Sequence, residues 1–203
     1  MTYIKTQVLF ELMTIIVAVR KGKKAAIAAD TQYSQGNTVV PGDMRSYPKK
    51  IHNVAGAYVG IAGTSAHHSV FRSLAANKPD LFNFDNAEAI FETFRRIHPI
   101  LKKEYFVYTN ESDGSQEYES NQMNGLIVSK GGIYSFFSYR EIAEYRLFWA
   151  CGSGKSYSLG ALDALYTSRK PAKEIAELGV LSACKFDKSC GLPLESYEID
   201  LES

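Results

Sequence analysis

Apolar residues crowd two neighbouring stretches near the start of the chain. Residues 14–20, TIIVAVR, are β-branched and apolar at consecutive positions, and residues 24–30, KAAIAAD, repeat that character after the polar turn Lys21-Gly22-Lys23. A strand apolar at every position has both faces covered, so the pair predicts a buried hairpin. Shorter runs at 37–40 (NTVV), 50–54 (KIHNV) and 57–63 (AYVGIAG), separated by Gly and Pro, predict further strands. The period then changes. In TSAHHSVFRSLAAN (64–77), Thr64 and Ser65 suit a helix start, and Val70, Phe71 and Leu74 share one helical face. Ala87, Ile90, Phe91, Phe94, Ile97 and Leu101 recur at steps of three and four and predict a second helix, which Pro99 should kink.

Residues 109–121, TNESDGSQEYESN, are polar and acidic enough for an exposed loop or hairpin tip. Beyond them, GLIVSKGGIYSFFS (125–138) reads as strand, Gly-Gly turn and strand, and EYRLFWACGSG (144–154) as one last strand running into glycines. Two helices follow, over 153–168 and from Pro171 to about Lys185, and ESYEID (195–200) closes as a short strand. Strands, two helices, strands, two helices: this segregated order predicts an α+β layered fold with each helix pair packed on sheet.

Length and composition narrow the class without changing that picture. The 203 residues suffice for one well-filled core, with 45% hydrophobic and 22% charged positions. Twenty-three basic and twenty-two acidic side chains leave a formal charge of +1, so no broad field draws in nucleic acid or an acidic membrane surface. No apolar run approaches the roughly 18–20 residues that cross a bilayer, and the head, MTYIKTQVLFELM, lacks the features of a secretory signal. Cys151, Cys184 and Cys190 are odd in number and lack metal-ligand spacing, which fits free thiols in a reducing, cytoplasmic compartment. No metal or cofactor is expected.

One residue of the hairpin invites chemistry. If everything before Thr14 were removed, its own α-amine, of ordinary pKa about 7.7–8.0, could take the proton from its hydroxyl, and none of the four histidines would be needed. Met13 immediately ahead offers two routes: autocleavage of a propeptide, or a true start at Met13 followed by methionine removal. Composition alone leaves Thr14 as an ordinary strand residue. The GSGKS run (152–156) is a weak phosphate-loop signal, since the spacing G-x-x-x-x-G-K-[ST] fails and no parallel α/β repeat surrounds it.

TIIVAV, AADTQYSQGNTVV, KKI, GIAGTSA and ACGSGKSYSLGALDAL, in that order along the chain, resemble proteasome β-type subunits and especially the bacterial HslV type. The resemblance implies the four-layer αββα sandwich of N-terminal nucleophile hydrolases, in agreement with the element order. It implies a domain over 14–203 preceded by a leader or propeptide, 1–13. Carried over by position, Thr14 is similar to the nucleophile, Asp30 to the carboxylate ending the second strand, and Lys50 to the family lysine, with Lys49 as its rival. Gly63 resembles the oxyanion-hole glycine, Ser153 the serine that hydrogen-bonds the threonine amine, and Asp187 the late carboxylate. An ammonium beside Thr14 would favour loss of the hydroxyl proton, and Asp30 would orient that ammonium.

This sequence departs from the family at three points. Ile15 stands where many relatives carry a second threonine, FDKSCG brings Asp187 and Ser189 one residue closer than usual, and GDMRSYP is longer than its HslV counterpart. The resemblance implies a threonine-type endopeptidase of two stacked homo-oligomeric rings of six or seven subunits, fed unfolded polypeptide by a ring ATPase. The rival expectations are a noncatalytic ring-forming homologue that keeps its leader, and a small-molecule amidase of the same fold.

Overall fold

The computed structural model describes residues 13–109 and 117–202; apart from Met13, the leader expected over 1–13 lies outside the described residues. The expected hairpin forms as β1 (Ile15–Lys21) and β2 (Lys24–Asp30), pairing antiparallel from Ile16 opposite Ala29 to Lys21 opposite Lys24. A small hairpin follows, β3 (Tyr33–Gln35) on β4 (Thr38–Val40), of which only the second strand was legible in the sequence. Next come β5 (Ile51–Val54), β6 (Ala57–Ala62), helix α1 (Ser65–Asn77) and helix α2 (Ala87–Lys103). β7 (Asn124–Ser129), β8 (Gly132–Phe136), β9 (Ile142–Tyr145), β10 (Phe148–Gly152), α3 (Lys155–Tyr166), α4 (Ala172–Phe186) and β11 (Leu194–Asp200) complete the chain.

Two sheets lie face to face. One has the strand order β10-β1-β2-β11, the other β5-β6-β7-β8-β9. Ile16, Ala18, Ala25, Ile27 and Ala29 of the first meet Ile51, Leu126, Val128 and Ile133 of the second in an apolar interlayer. The alternate residues of β1 and β2, among them Ile15, Val17, Val19, Ala26 and Ala28, face α3 and α4 through Leu162, Ile175, Ala176 and Val180. On the far side, Val59, Ile61, Ile127 and Phe136 pack under Phe71, Leu74, Ile90, Phe94, Ile97 and Leu101 of α1 and α2. The molecule is therefore an αββα sandwich, and the continuous apolar runs of β1 and β2 follow from their place in its middle. Burying an isoleucine such as Ile16 there is worth roughly 1.5–3 kcal/mol.

Three local expectations are revised. The strand read over 144–154 is two strands in different sheets: β9 pairs with β8, the chain crosses layers at Arg146 and Leu147, and β10 pairs with β1. Phe91 of the predicted helical stripe is 43% exposed, because the apolar arc of α2 is completed by Ile90 and Phe94 and leaves Phe91 on its flank. The polar segment 109–121 is buried at its ends, where Ser120 N–H donates to Thr109 O (2.8 Å) and Asn121 N–H to Ser138 O (2.8 Å); residues 110–116 lie outside the described residues.

Candidate active site

Thr14 stands immediately ahead of β1, at one end of the sandwich, and its side chain is buried. Its hydroxyl donates to Asp30 Oδ1 (2.8 Å) and accepts from the Lys50 ammonium (2.7 Å), which also bonds Asp30 Oδ1 (2.8 Å). Asp30 terminates β2, and the antiparallel pairing of β1 with β2 is what carries it back beside the start of β1. Lys50 comes from the opposite sheet, one residue ahead of β5. A buried ion pair is tolerated only when its remaining hydrogen-bonding capacity is met. Asp30 meets that condition: Ile15 N–H also donates to Oδ1 (3.0 Å) and Gly191 N–H to Oδ2 (3.1 Å).

Successive side chains of an extended segment point to opposite sides. Lys50 points inward to Thr14, so Lys49 is exposed, with its ammonium 5.9 Å from the centre of the Tyr197 ring. Tyr33 lies beside the inward lysine: the Lys50 ammonium is 5.2 Å from its ring centre and the Arg45 guanidinium is 3.6 Å from it. Behind it, His52 and His68 share a hydrogen bond (3.1 Å). Burial, aided by Arg72, pushes His52 down to about 4, and burial with His52 and Lys50 pushes His68 down to about 3, so both rings are neutral near pH 7.

Gly63 follows β6 directly and has φ 144°, a conformation that glycine adopts without strain, one residue before Thr64, which precedes the first residue of α1. Its strand is tied to the lysine, since Ile61 N–H donates to Lys50 O (3.1 Å). In the chain with Met13 attached, the Ser153 hydroxyl bonds the Thr14 carbonyl oxygen (3.4 Å), which also accepts from Gly154 N–H (3.5 Å). The turn from β10 into α3 approaches Thr14 from the side of that oxygen. Asp187 lies behind Ser153. It is the residue that ends α4, and its carboxylate accepts from Ser189 N–H (2.9 Å) and Cys190 Sγ (3.5 Å), one shell behind Thr14. Burial pushes that carboxyl up, but Ser153, Ser189 and Cys190 together outweigh it and hold it below its ordinary value.

Two contributors escaped the sequence reading. Gly191 supplies a backbone N–H, which leaves no mark in a sequence. Glu195, whose Oε1 accepts from Lys50 N–H (2.6 Å) and Ile51 N–H (2.9 Å), did leave one: it alternates with Tyr197 and Ile199 on the apolar face of β11. Among the described residues, no group of three or more His, Cys, Asp or Glu is placed to hold a metal ion, and no helix is long and apolar enough to cross a membrane.

The family model described as proteasome subunit matches residues 12–198, which takes in all of these positions. The chain belongs to the proteasome subunit family. Thiobacillus denitrificans BPH is 31% identical, with a TM-score of 0.86 over 93% of this chain and 99% of that one. The same protein in complex with epoxomicin is 32% identical, with a TM-score of 0.85 over 94% and 100% of the two chains. Eukaryotic HslV from Trypanosoma brucei is 18% identical, with a TM-score of 0.68 over 92% and 99%, a likeness of fold. The α+β sandwich of this proteasome-family subunit is thus that of BPH along almost its whole length, with the Thr14, Asp30 and Lys50 cluster at one end.

Proposed function

We propose that this subunit is a threonine-type endopeptidase acting on unfolded polypeptide, with Thr14 as its nucleophile once residues 1–13 are gone. The observation that carries the reading is the Thr14 hydroxyl held between the Lys50 ammonium and the Asp30 carboxylate, all three buried. The freed α-amine takes the hydroxyl proton, the Thr14 oxygen attacks the peptide carbonyl, and the same amine returns the proton to the leaving amine. Water then enters and loses a proton to the amine as its oxygen bonds the acyl carbon; the ester bond to Thr14 breaks, and the amine returns the proton to the Thr14 oxygen. Lys50 favours the ionised hydroxyl during attack, Asp30 fixes Lys50, and the Gly63 N–H meets the oxyanion. Ser153 anchors the nucleophile through the Thr14 carbonyl, with Asp187 behind it. Met13, the residue whose bond to Thr14 must be broken, is 38% exposed.

The reading extends to a cytoplasmic complex of two stacked homo-oligomeric rings of six or seven subunits, supplied by a ring ATPase unfoldase, as family membership suggests. It also extends epoxomicin, held by the BPH relative, to this chain as a ligand. The test is hydrolysis of an unfolded protein substrate by the purified complex and by its Thr14→Ala variant. The wild type cleaves and is inhibited by epoxomicin, and Thr14→Ala loses at least about 1000-fold in kcat. Equal cleavage by the two proteins would remove Thr14 from the mechanism.

A further inference from the structure

Lys50 needs its backbone fixed as much as its side chain, and the fold leaves that backbone at an edge. β5 is the outermost strand of its sheet, so N–H groups on its outer side have no strand to pair with. Glu195 meets that of Ile51, together with the N–H of Lys50 just ahead of the strand, with a single atom, Oε1, which accepts from Lys50 N–H at 2.6 Å and from Ile51 N–H at 2.9 Å. It comes from β11, the edge strand of the other sheet, where it sits opposite Ala29 while its neighbour Leu194 sits opposite Asp30. One oxygen therefore ties the two sheet edges together within one residue of both members of the buried ion pair.

The carboxylate is itself held. Its other oxygen accepts from the Tyr197 hydroxyl (3.1 Å), and the Tyr197 ring stacks on Tyr58 of β6 at 4.7 Å and 16°. We infer that Glu195 is a positioning residue for the active site, a clamp that sets the depth of Lys50 beside Thr14 by holding the peptide N–H groups of Lys50 and Ile51 where the chain enters β5. The inference rests on the proposed function for its kinetic consequence, but its structural consequence can be read without turnover. Because both bonds end on one oxygen, the carbonyl oxygen of glutamine serves in its place, its amide NH2 donating to the Tyr197 oxygen where the carboxylate accepted from it, and the negative charge is dispensable. A displacement of about 1 Å at a group beside the reacting atom can cost about 100-fold in rate.

The experiment compares Glu195→Gln, Glu195→Asp and Glu195→Ala in the assembled protein. Peptidase kcat and KM are measured, together with acylation of Lys50 by an N-hydroxysuccinimide ester, read by peptide mapping. Lys21, whose ammonium bonds the carbonyls of Tyr166 (2.9 Å) and Lys170 (3.1 Å) at the far end of β1, is the internal control. Glu195→Gln keeps kcat within about threefold of wild type. Glu195→Ala loses at least about tenfold in kcat with KM unchanged, and Glu195→Asp, whose carboxylate is drawn back by one methylene, falls between. Lys50 becomes several-fold more reactive in Glu195→Ala, while Lys21 does not.

A role in general stability would instead raise labelling of both lysines and leave kcat per folded molecule intact, and this result overturns the inference. So does Glu195→Gln as damaged as Glu195→Ala, which would put the effect in the charge. If Glu195→Ala does not fold, Glu195→Asp decides by the same two readouts. A wild type without peptidase activity would remove the proposed function and leave the clamp to stand or fall on the Lys50 labelling.

Discussion

Lys49 and Lys50 differ by one position and have opposite expected effects. Lys50→Ala removes the cation from both Thr14 and Asp30 and should lower kcat at least about 100-fold, with Asp30 left buried and less well paired. Lys49→Ala removes an exposed ammonium from the Tyr197 ring and should leave kcat within about threefold. Peptide hydrolysis by the two variants checks this, and the reverse order of effects would contradict the site. Gly152 gives a second test at this scale. Its φ is 112°, and a Cβ added there would lie 2.1 Å from the Thr14 carbonyl oxygen. Gly152→Ala should therefore push Thr14 out of place, lowering kcat at least about tenfold and stability by about 1–3 kcal/mol, measured by denaturant midpoint. Thr14, Asp30 and Lys50 were singled out by the resemblance and not by composition, and the fold brings their side chains within hydrogen-bond distance of one another. The sequence was silent on Gly191, whose contribution is a peptide N–H. Ser153 was expected at the freed threonine amine; in the chain with Met13 attached, its hydroxyl meets the Thr14 carbonyl oxygen.

Among the elements, α1 and β5 jointly bury two histidines that the expected apolar face of α1, Val70, Phe71 and Leu74, did not include. His52 and His68 are neutral in the fold, at about 4 and about 3, whereas in the unfolded chain they protonate near the ordinary 6.5. The unfolded state therefore binds more protons, and stability should fall as pH drops below 6.5 and continue falling towards those lower values. The slope is up to about 1.4 kcal/mol per pH unit for each histidine. Denaturant unfolding between pH 7 and 5 measures it. The paired substitution His52→Phe with His68→Leu, which removes both partners of their hydrogen bond, should flatten the profile in that window. An unchanged slope would show that other groups govern it. Strands and helices with strong periodicity were legible, but β9 and β10 were fused because nothing in EYRLFWA marks the crossing between layers. That crossing is fixed by which sheet each strand completes, a long-range property.

For the whole molecule, the order of elements foretold an α+β layered fold with each helix pair packed on sheet, and the resemblance supplied the four-layer αββα arrangement. The relative placement of the sheets was not legible, yet it is what brings Lys50 from one sheet to Thr14 and Asp30 of the other. Size exclusion with light scattering should find the assembled double ring for the wild type and for Thr14→Ala alike, since a methyl group is tolerated ahead of β1. A monomer or small dimer would argue against the ring. The central claim, a nucleophilic Thr14 with a free amine, is tested most directly by incubating the assembled protein with an electrophilic peptide and taking intact mass and peptide maps. The account predicts a chain that begins at Thr14 and carries one adduct on that residue. A chain in which every copy still holds Met13 joined to Thr14, with no adduct, would contradict it.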